Sequence, residues 1–220
     1  MSKARTESDL SAQLDADLTS RLRELSDLKK AILDAQPTGR SVLLKALVAL
    51  AYAHWEGSVK FSANKYFEFI AVRKLQYSAL NQNFYVNSFL VRLGSFISNK
   101  PSLRARSELV SEILSAKSNR FSQIHPDLVN TGSNLKFETL KEICLVCGID
   151  FKIFEPHETF IDIVLLKRRN SIAHGDDSVV AVEEIDGLVN DVIKIMRMFR
   201  NELENKVYTK AYLSEARGDA

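Results

Sequence analysis

Apolar residues recur at three-to-four-residue intervals along most of the chain, and the first clear run is Leu10, Leu14, Leu18, Leu22, Leu25, Leu28 and Ile32. Charged residues, among them Asp15, Asp17, Arg21, Arg23 and Lys29, fill the positions between. The period is helical, so one long amphipathic helix is predicted from residue 9 to about residue 35. Its apolar stripe must pack on the body of the protein or on a second chain. Pro37-Thr38-Gly39 is expected to end it. A second helix is predicted from Ser41, as N-cap, to about Leu75, with Val42, Leu43, Ala46, Leu47, Leu50 and Ala53 running on into Phe61, Phe69, Ile70 and Val72. Inside it, Gly57 predicts close packing or a kink near Trp55, because an interior glycine costs a helix about 1 kcal/mol relative to alanine. Trp55 and Tyr66 are expected as core or interface aromatics, His54 as a capped or half-buried histidine, and Glu56 as a surface or interface carboxylate in preference to one that contributes to a site.

Residues 76–83 are polar and turn-like. The stretch 84–93 suits helix or strand by pattern, and helix is preferred because no second strand pattern exists to pair with it. Pro101-Ser102 opens a helix to about Ala116, residues 119–134 form a loop, and a short helix from Leu135 to Cys147 stops at Gly148. Pro156-His157-Glu158-Thr159 starts an apolar helix through Phe160, Ile161, Ile163, Val164, Leu165 and Leu166, and Gly175-Asp176-Asp177-Ser178 interrupts it. The last helix runs from Val180 to about Asn205. Its Val180, Val182, Ile185, Leu188, Val189, Val192, Ile193, Ile195, Met196, Met198 and Phe199 cover so much of the circumference that more than one neighbour is expected to bury them, with another subunit one of the candidates. The organisation predicted is all-α: an N-terminal helix in residues 1–36, a helical domain in 37–207 and a loose tail in 208–220.

At 220 residues and 45% hydrophobic content, one domain with a substantial core is expected. A formal net charge of +2 excludes a generally polycationic nucleic-acid binder and leaves binding to a local patch. Residues 1–8 lack the apolar core of a secretion signal, and the greasiest stretch, residues 42–53, contains Lys45 and is too short to span a bilayer. A cytoplasmic protein without membrane association is expected. Cys144 and Cys147 stand as one Cys-x-x-Cys pair with no further cysteines, so they read as core thiols and not as a metal site.

One stretch concentrates polar chemistry at the end of an apolar segment: Lys167-Arg168-Arg169-Asn170-Ser171-Ile172-Ala173-His174-Gly175-Asp176. On a helix, Asn170 and His174 share a face, whereas Arg169 and His174 stand about 140° apart. The two act together only if the helix breaks before His174 or if a second chain completes the site. A purely structural role is also open, with Arg168 and Arg169 near the helix C-terminus and Asn170 and His174 merely ending it.

Arg169-Asn170-x-x-Ala173-His174-Gly175 resembles the Arg-x4-6-His signature of the HEPN superfamily, many of whose members are metal-independent ribonucleases. Ala53-His54-Trp55-Glu56-Gly57 is similar to an early-helix segment of the branch found with prokaryotic restriction and defence systems. Together the likeness covers residues 41–205. It implies a HEPN-like antiparallel helical bundle with long N- and C-terminal helices, working as a homodimer whose two motifs line one cleft. It further implies a toxin or anti-phage endoribonuclease that needs no metal or cofactor and leaves 2′,3′-cyclic phosphate ends on RNA. His174 would be the general acid or base, since an imidazole ordinarily titrates at about 6.5. Arg169 would hold the phosphate and its transition-state charge, Asn170 would orient phosphate or imidazole, and Lys167 and Arg168 would either meet flanking phosphates or stand as solvated charges that bind nothing. An antitoxin or another defence protein is the implied partner. Related toxins are modified on a tyrosine two residues beyond the histidine; this chain has Asp176 there, which argues against that control. The alternative function is a non-catalytic helical module that binds RNA, a nucleotide or a protein of a defence complex.

Overall fold

The computed structural model describes residues 3–99, 101–132, 134–176 and 180–214. These are overwhelmingly helical; among the described residues the only strand-like pairings are isolated bridges of Gln76 with Arg120 and Leu80 with Leu213. The all-α class read from the periodicity holds.

Helix α1 spans Glu7–Asp34 and begins at a capping box, with Thr6 Oγ1 accepting the Asp9 amide and Asp9 Oδ2 accepting the Thr6 amide. Two donors that the helix cannot satisfy internally are thereby paired. Its stripe of Leu10, Leu14, Leu18, Leu25 and Ile32 is buried in the core of this same chain, against the second and the last helices. Helix α2 spans Pro37–Ala71. Proline opens this helix where a break is predicted, because a residue without an N–H loses nothing in the first turn and its fixed φ suits the helix. The cap residue is Gln36, not Ser41, and the helix ends short of Leu75.

Gly57 answers to close packing and not to a kink. Helix α2 runs through it, and a Cβ there would lie 2.7 Å from Nη1 of Arg21 on α1. That guanidinium is held in place by a two-pronged bond to Asp17, at 2.8 Å on each side.

Helices α3 (Gln82–Asn99) and α4 (Leu103–Ser115) form an outlying pair around a small cluster of Tyr85, Phe89, Leu109 and Ala116. The ambiguous stretch 84–93 is thus helical. The predicted loop contains one 3-10 turn, Pro126–Val129, and leads into α5 (Phe137–Cys147), which stops at Gly148 with φ +69°. Cys144 and Cys147 are buried free thiols; burial first, then Asp150 and Glu202, pushes the Cys144 thiol up to about 12.

The apolar run before the polar cluster departs from the expected α-helix. Phe151–His157, with Pro156 inside it, winds as a 3-10 helix, and Phe160–Lys167 winds as a π-helix, before α6 (Arg168–Ala173) resumes α-geometry. Pro156 therefore does not open the helix that carries the motif. Helix α7 (Ile185–Tyr208) starts after a 3-10 turn at Val182–Glu184.

The wide apolar surface expected on α7 is a single stripe. Ile185, Leu188, Val189, Val192, Ile195, Met196, Phe199, Leu203 and Val207 pack on α1 and α2 of the same chain, which leaves the stripe no need of a second subunit. Helix α2 is the one surrounded: Leu47, Ala51, Tyr52, Trp55, Val59, Ala63, Tyr66 and Ile70 are all buried, and they face α1, α7, the π-helical segment and α6.

Of the tail, residues 208–214 are tied down by the buried Tyr212 and by backbone bonds from Asn81 to Tyr212 and from Ser214 to Ala79; residues 215–220 lie outside the described residues. Among the described residues no helix is long and apolar enough to cross a membrane.

Candidate functional site

Ile161 and Leu165 of the π-helical segment are fully buried, and Arg169 extends their row at the same four-residue spacing. The apolar row thus delivers a guanidinium inward. π-Helical turns are rare and frequent at functional sites; the wider winding changes the angular phase at which α6 leaves the core. Asp162, in the same segment, accepts the Phe137 amide at 2.7 Å and so caps the start of α5, which fixes the two elements to each other.

The Arg169 guanidinium carbon lies 4.3 Å from the ring centroid of Tyr52, and its Nη2 donates to Asn134 Oδ1 at 3.0 Å. Tyr52 is 2% exposed. Its phenol oxygen accepts the Leu135 amide at 2.6 Å, which joins α2 to the chain immediately after Asn134. One turn along α2, Glu56 Oε1 accepts the hydroxyl of buried Thr131 at 2.6 Å. Glu56 is half-buried beside this cluster, and not the surface or interface carboxylate expected. Burial, with a smaller push from the Glu56 carboxylate, holds the Tyr52 phenol above its ordinary value, while the Leu135 amide and Arg169 act the other way. A phenol and a carboxylate from α2 and a guanidinium from α6 therefore meet around the loop residues Thr131, Asn134 and Leu135.

His174 is not part of this cluster. Helix α6 continues through Ala173, and His174 is its C-cap residue with helical φ and ψ. Gly175 follows at φ +80°, and the Gly175 and Asp176 amides donate to the Ile172 and Ser171 carbonyls, a Schellman closure. The helix thus ends after His174 and not before it, so the separation of about 140° from Arg169 on an ideal helix stands. The imidazole is exposed, and Asn170 between the two is half-buried. Arg168 is paired with Glu184, whose carboxyl that hydrogen bond holds below its ordinary range, and Lys167 is exposed. Asp177 lies outside the described residues.

His54 belongs to a different place. It is 7% exposed at the α1–α2 contact, with Arg21 Nη1 at 3.5 Å from its Nδ1 and Glu24 Oε2 at 3.3 Å from its Nε2. Burial and then the Arg21 charge lower its pKa, against the opposing pull of Glu24 and Asp17. Trp55 beside it is wholly buried core.

Tyr52 and Asn134 are the residues that sequence reasoning missed. Tyr52 precedes the Ala53–Gly57 segment by one residue and Asn134 lies in a loop, and neither carries a local signal that it meets Arg169. The spacing of Tyr52 and Glu56, one turn apart beside a segment already singled out, is the nearest to one.

The family described as RiboL-PSP-HEPN matches residues 16–205 of the chain, a span that takes in α2, the loop 130–135 and α6. No curated protein and no solved structure matches the chain.

Proposed function

The chain belongs to the RiboL-PSP-HEPN family, which points to a nuclease or RNA-related function, and from that premise we propose that it is a metal-independent endoribonuclease of toxin or anti-phage type that acts as a homodimer. The observation that carries this reading is the division of labour on α6: a guanidinium fixed inward against Tyr52 and Asn134, and an exposed imidazole on the closing turn of the same short helix.

Arg169 supplies a planar fork of donors for a phosphate and for the extra charge of its transition state. His174 takes the proton of a ribose 2′-hydroxyl or delivers one to the departing 5′-oxygen. The 2′-oxygen attacks the adjacent phosphorus as the bond from phosphorus to the 5′-oxygen breaks, which leaves a 2′,3′-cyclic phosphate and a 5′-hydroxyl. Asn170 orients the phosphate or the imidazole. Lys167 and Arg168 flank the site; Lys167 is the freer to meet a neighbouring phosphate, because Arg168 is engaged by Glu184.

A second copy of the chain supplies what the helical phase withholds: it brings its own motif to the cleft, so that an imidazole and a guanidinium face one phosphate. The exposed Ile163, on the segment that carries the motif, offers apolar contact for such a pairing.

The test is cleavage of RNA and of DNA of the same sequence by wild type and by His174→Ala. Cleavage of RNA alone, lost in the variant with folding and mass unchanged, is expected. Cleavage of DNA by the wild type removes the 2′-hydroxyl mechanism, and a variant as active as wild type removes His174. Binding of RNA without cleavage favours the non-catalytic module.

A further inference from the structure

We infer that Tyr52 and Asn134 are positioning residues for the Arg169 guanidinium, so that the phosphate-binding fork is aimed by α2 and by the loop 130–135 as well as by the helix that carries it. This deepens the ribonuclease reading and rests on it for its consequence in catalysis, but the geometry it asserts stands apart from any reaction.

The argument starts from the freedom of an arginine side chain. A long cationic chain near a helix end ordinarily samples many rotamers, and a fork that must match a phosphate pays that entropy on binding. Here two of its freedoms are removed beforehand. The Tyr52 ring lies under the guanidinium plane, with the guanidinium carbon 4.3 Å from the centroid, within cation–π range. Asn134 Oδ1 takes one edge at 3.0 Å, and so fixes rotation within that plane.

The two supports are themselves one unit. The Tyr52 hydroxyl accepts the Leu135 amide at 2.6 Å, so the ring that stacks on Arg169 also anchors the residue next to Asn134. The Thr131 hydroxyl donating to Glu56 fastens the other end of the same loop to α2 one turn along. A buried, hydrogen-bonded platform of this kind fixes a charged group at the geometry the reaction needs, at no cost when the substrate arrives.

Three variants separate the parts. Tyr52→Phe keeps the ring and frees the loop, Tyr52→Leu removes both, and Asn134→Ala removes the edge contact. Single-turnover cleavage is expected to fall about 10-fold in Tyr52→Phe and in Asn134→Ala, and about 100-fold in Tyr52→Leu, the loss that misplacing a catalytic group by about an ångström produces. The loss is expected more in kcat than in KM, because the fork's strongest contacts are with the charge that develops in the transition state. Since the hydroxyl braces the loop that carries Asn134 as well as bonding Arg169 itself, Tyr52→Phe with Asn134→Ala is expected to lose less than the sum of the two single losses.

The readout that needs no activity is the Nε–H resonance of Arg169, assigned with Arg169→Lys. A ring-current shift present in wild type and Tyr52→Phe, and gone in Tyr52→Leu, is expected. An Arg169 resonance that Tyr52→Leu leaves in place overturns the inference, whether or not the protein cleaves RNA. So do folded Tyr52→Leu protein with wild-type kcat and fully additive losses in the double variant. A wild type without ribonuclease activity overturns the proposed reaction instead and leaves the resonance to decide the platform.

Discussion

At the scale of single residues, the cluster around Arg169 divides between what local spacing announces and what only folding assembles. Arg169, Asn170 and His174 are visible in the sequence because a helix end rich in cations, an amide and an imidazole is an unusual place to spend polar residues. Tyr52 and Asn134 are not, since what makes them matter is a contact across more than thirty positions of chain, and no short-range pattern encodes it. Arg169→Lys tests the fork: an ammonium cannot present a planar two-pronged edge or lie flat on Tyr52, and cleavage is expected to fall about 100-fold with thermal stability unchanged. Gly57 carries a second prediction. Alanine there gains about 1 kcal/mol of helix propensity but must displace the Arg21 guanidinium from Asp17. In wild type, Gly57→Ala is expected to be neutral or destabilising. Combined with Arg21→Ala it is expected to stabilise by about 1 kcal/mol in denaturant titrations, a non-additive pair.

Elements show where pattern and physics part. The pattern finds α1, α4, α5 and α7, and leaves α3 to be settled by the lack of a strand partner; it misreads the start of α2, since proline is a poor residue inside a helix and a good one in its first turn. It also cannot see the winding of Phe160–Lys167, because an apolar run reads alike as α- or π-helix. The breadth of α7 rightly announces more than one neighbour, but a count of apolar residues does not say which, and α1 and α2 of the same chain cover these. Asp162 joins the π-helical segment to α5, and Asp162→Ala is expected to cost about 1 kcal/mol in chemical denaturation, the ordinary value of a lost N-terminal cap. At the α1–α2 contact, burial and then the Arg21 charge lower the pKa of His54. Because its pKa is lowered in the folded chain, the unfolded chain binds the proton first. Stability is then expected to be intact above the ordinary imidazole value of 6.5 and to fall as the pH drops below it. His54→Gln is expected to flatten that slope in thermal melts taken from pH 7.5 to 5.

For the whole molecule, the long first helix is part of the core: Leu10, Leu14, Leu18, Leu25 and Ile32 pack on α2 and α7. A chain lacking residues 1–36 is therefore expected to lose its cooperative unfolding transition, and a folded truncation would show that α1 is dispensable. The same packing alters how a dimer must be built. With the α7 stripe covered from within, the homodimer proposed above is expected to pair through the face that carries the motif, where the imidazole is exposed and Arg169 is held inward. The central claim is that this face performs metal-free RNA cleavage, and the most direct measurement is end-group analysis of RNA incubated in chelator with wild type or His174→Ala. Wild type is expected to give 2′,3′-cyclic phosphate and 5′-hydroxyl ends, and the variant to leave the RNA intact. Fragments ending in 5′-phosphate, or identical fragments from both proteins, would contradict the claim.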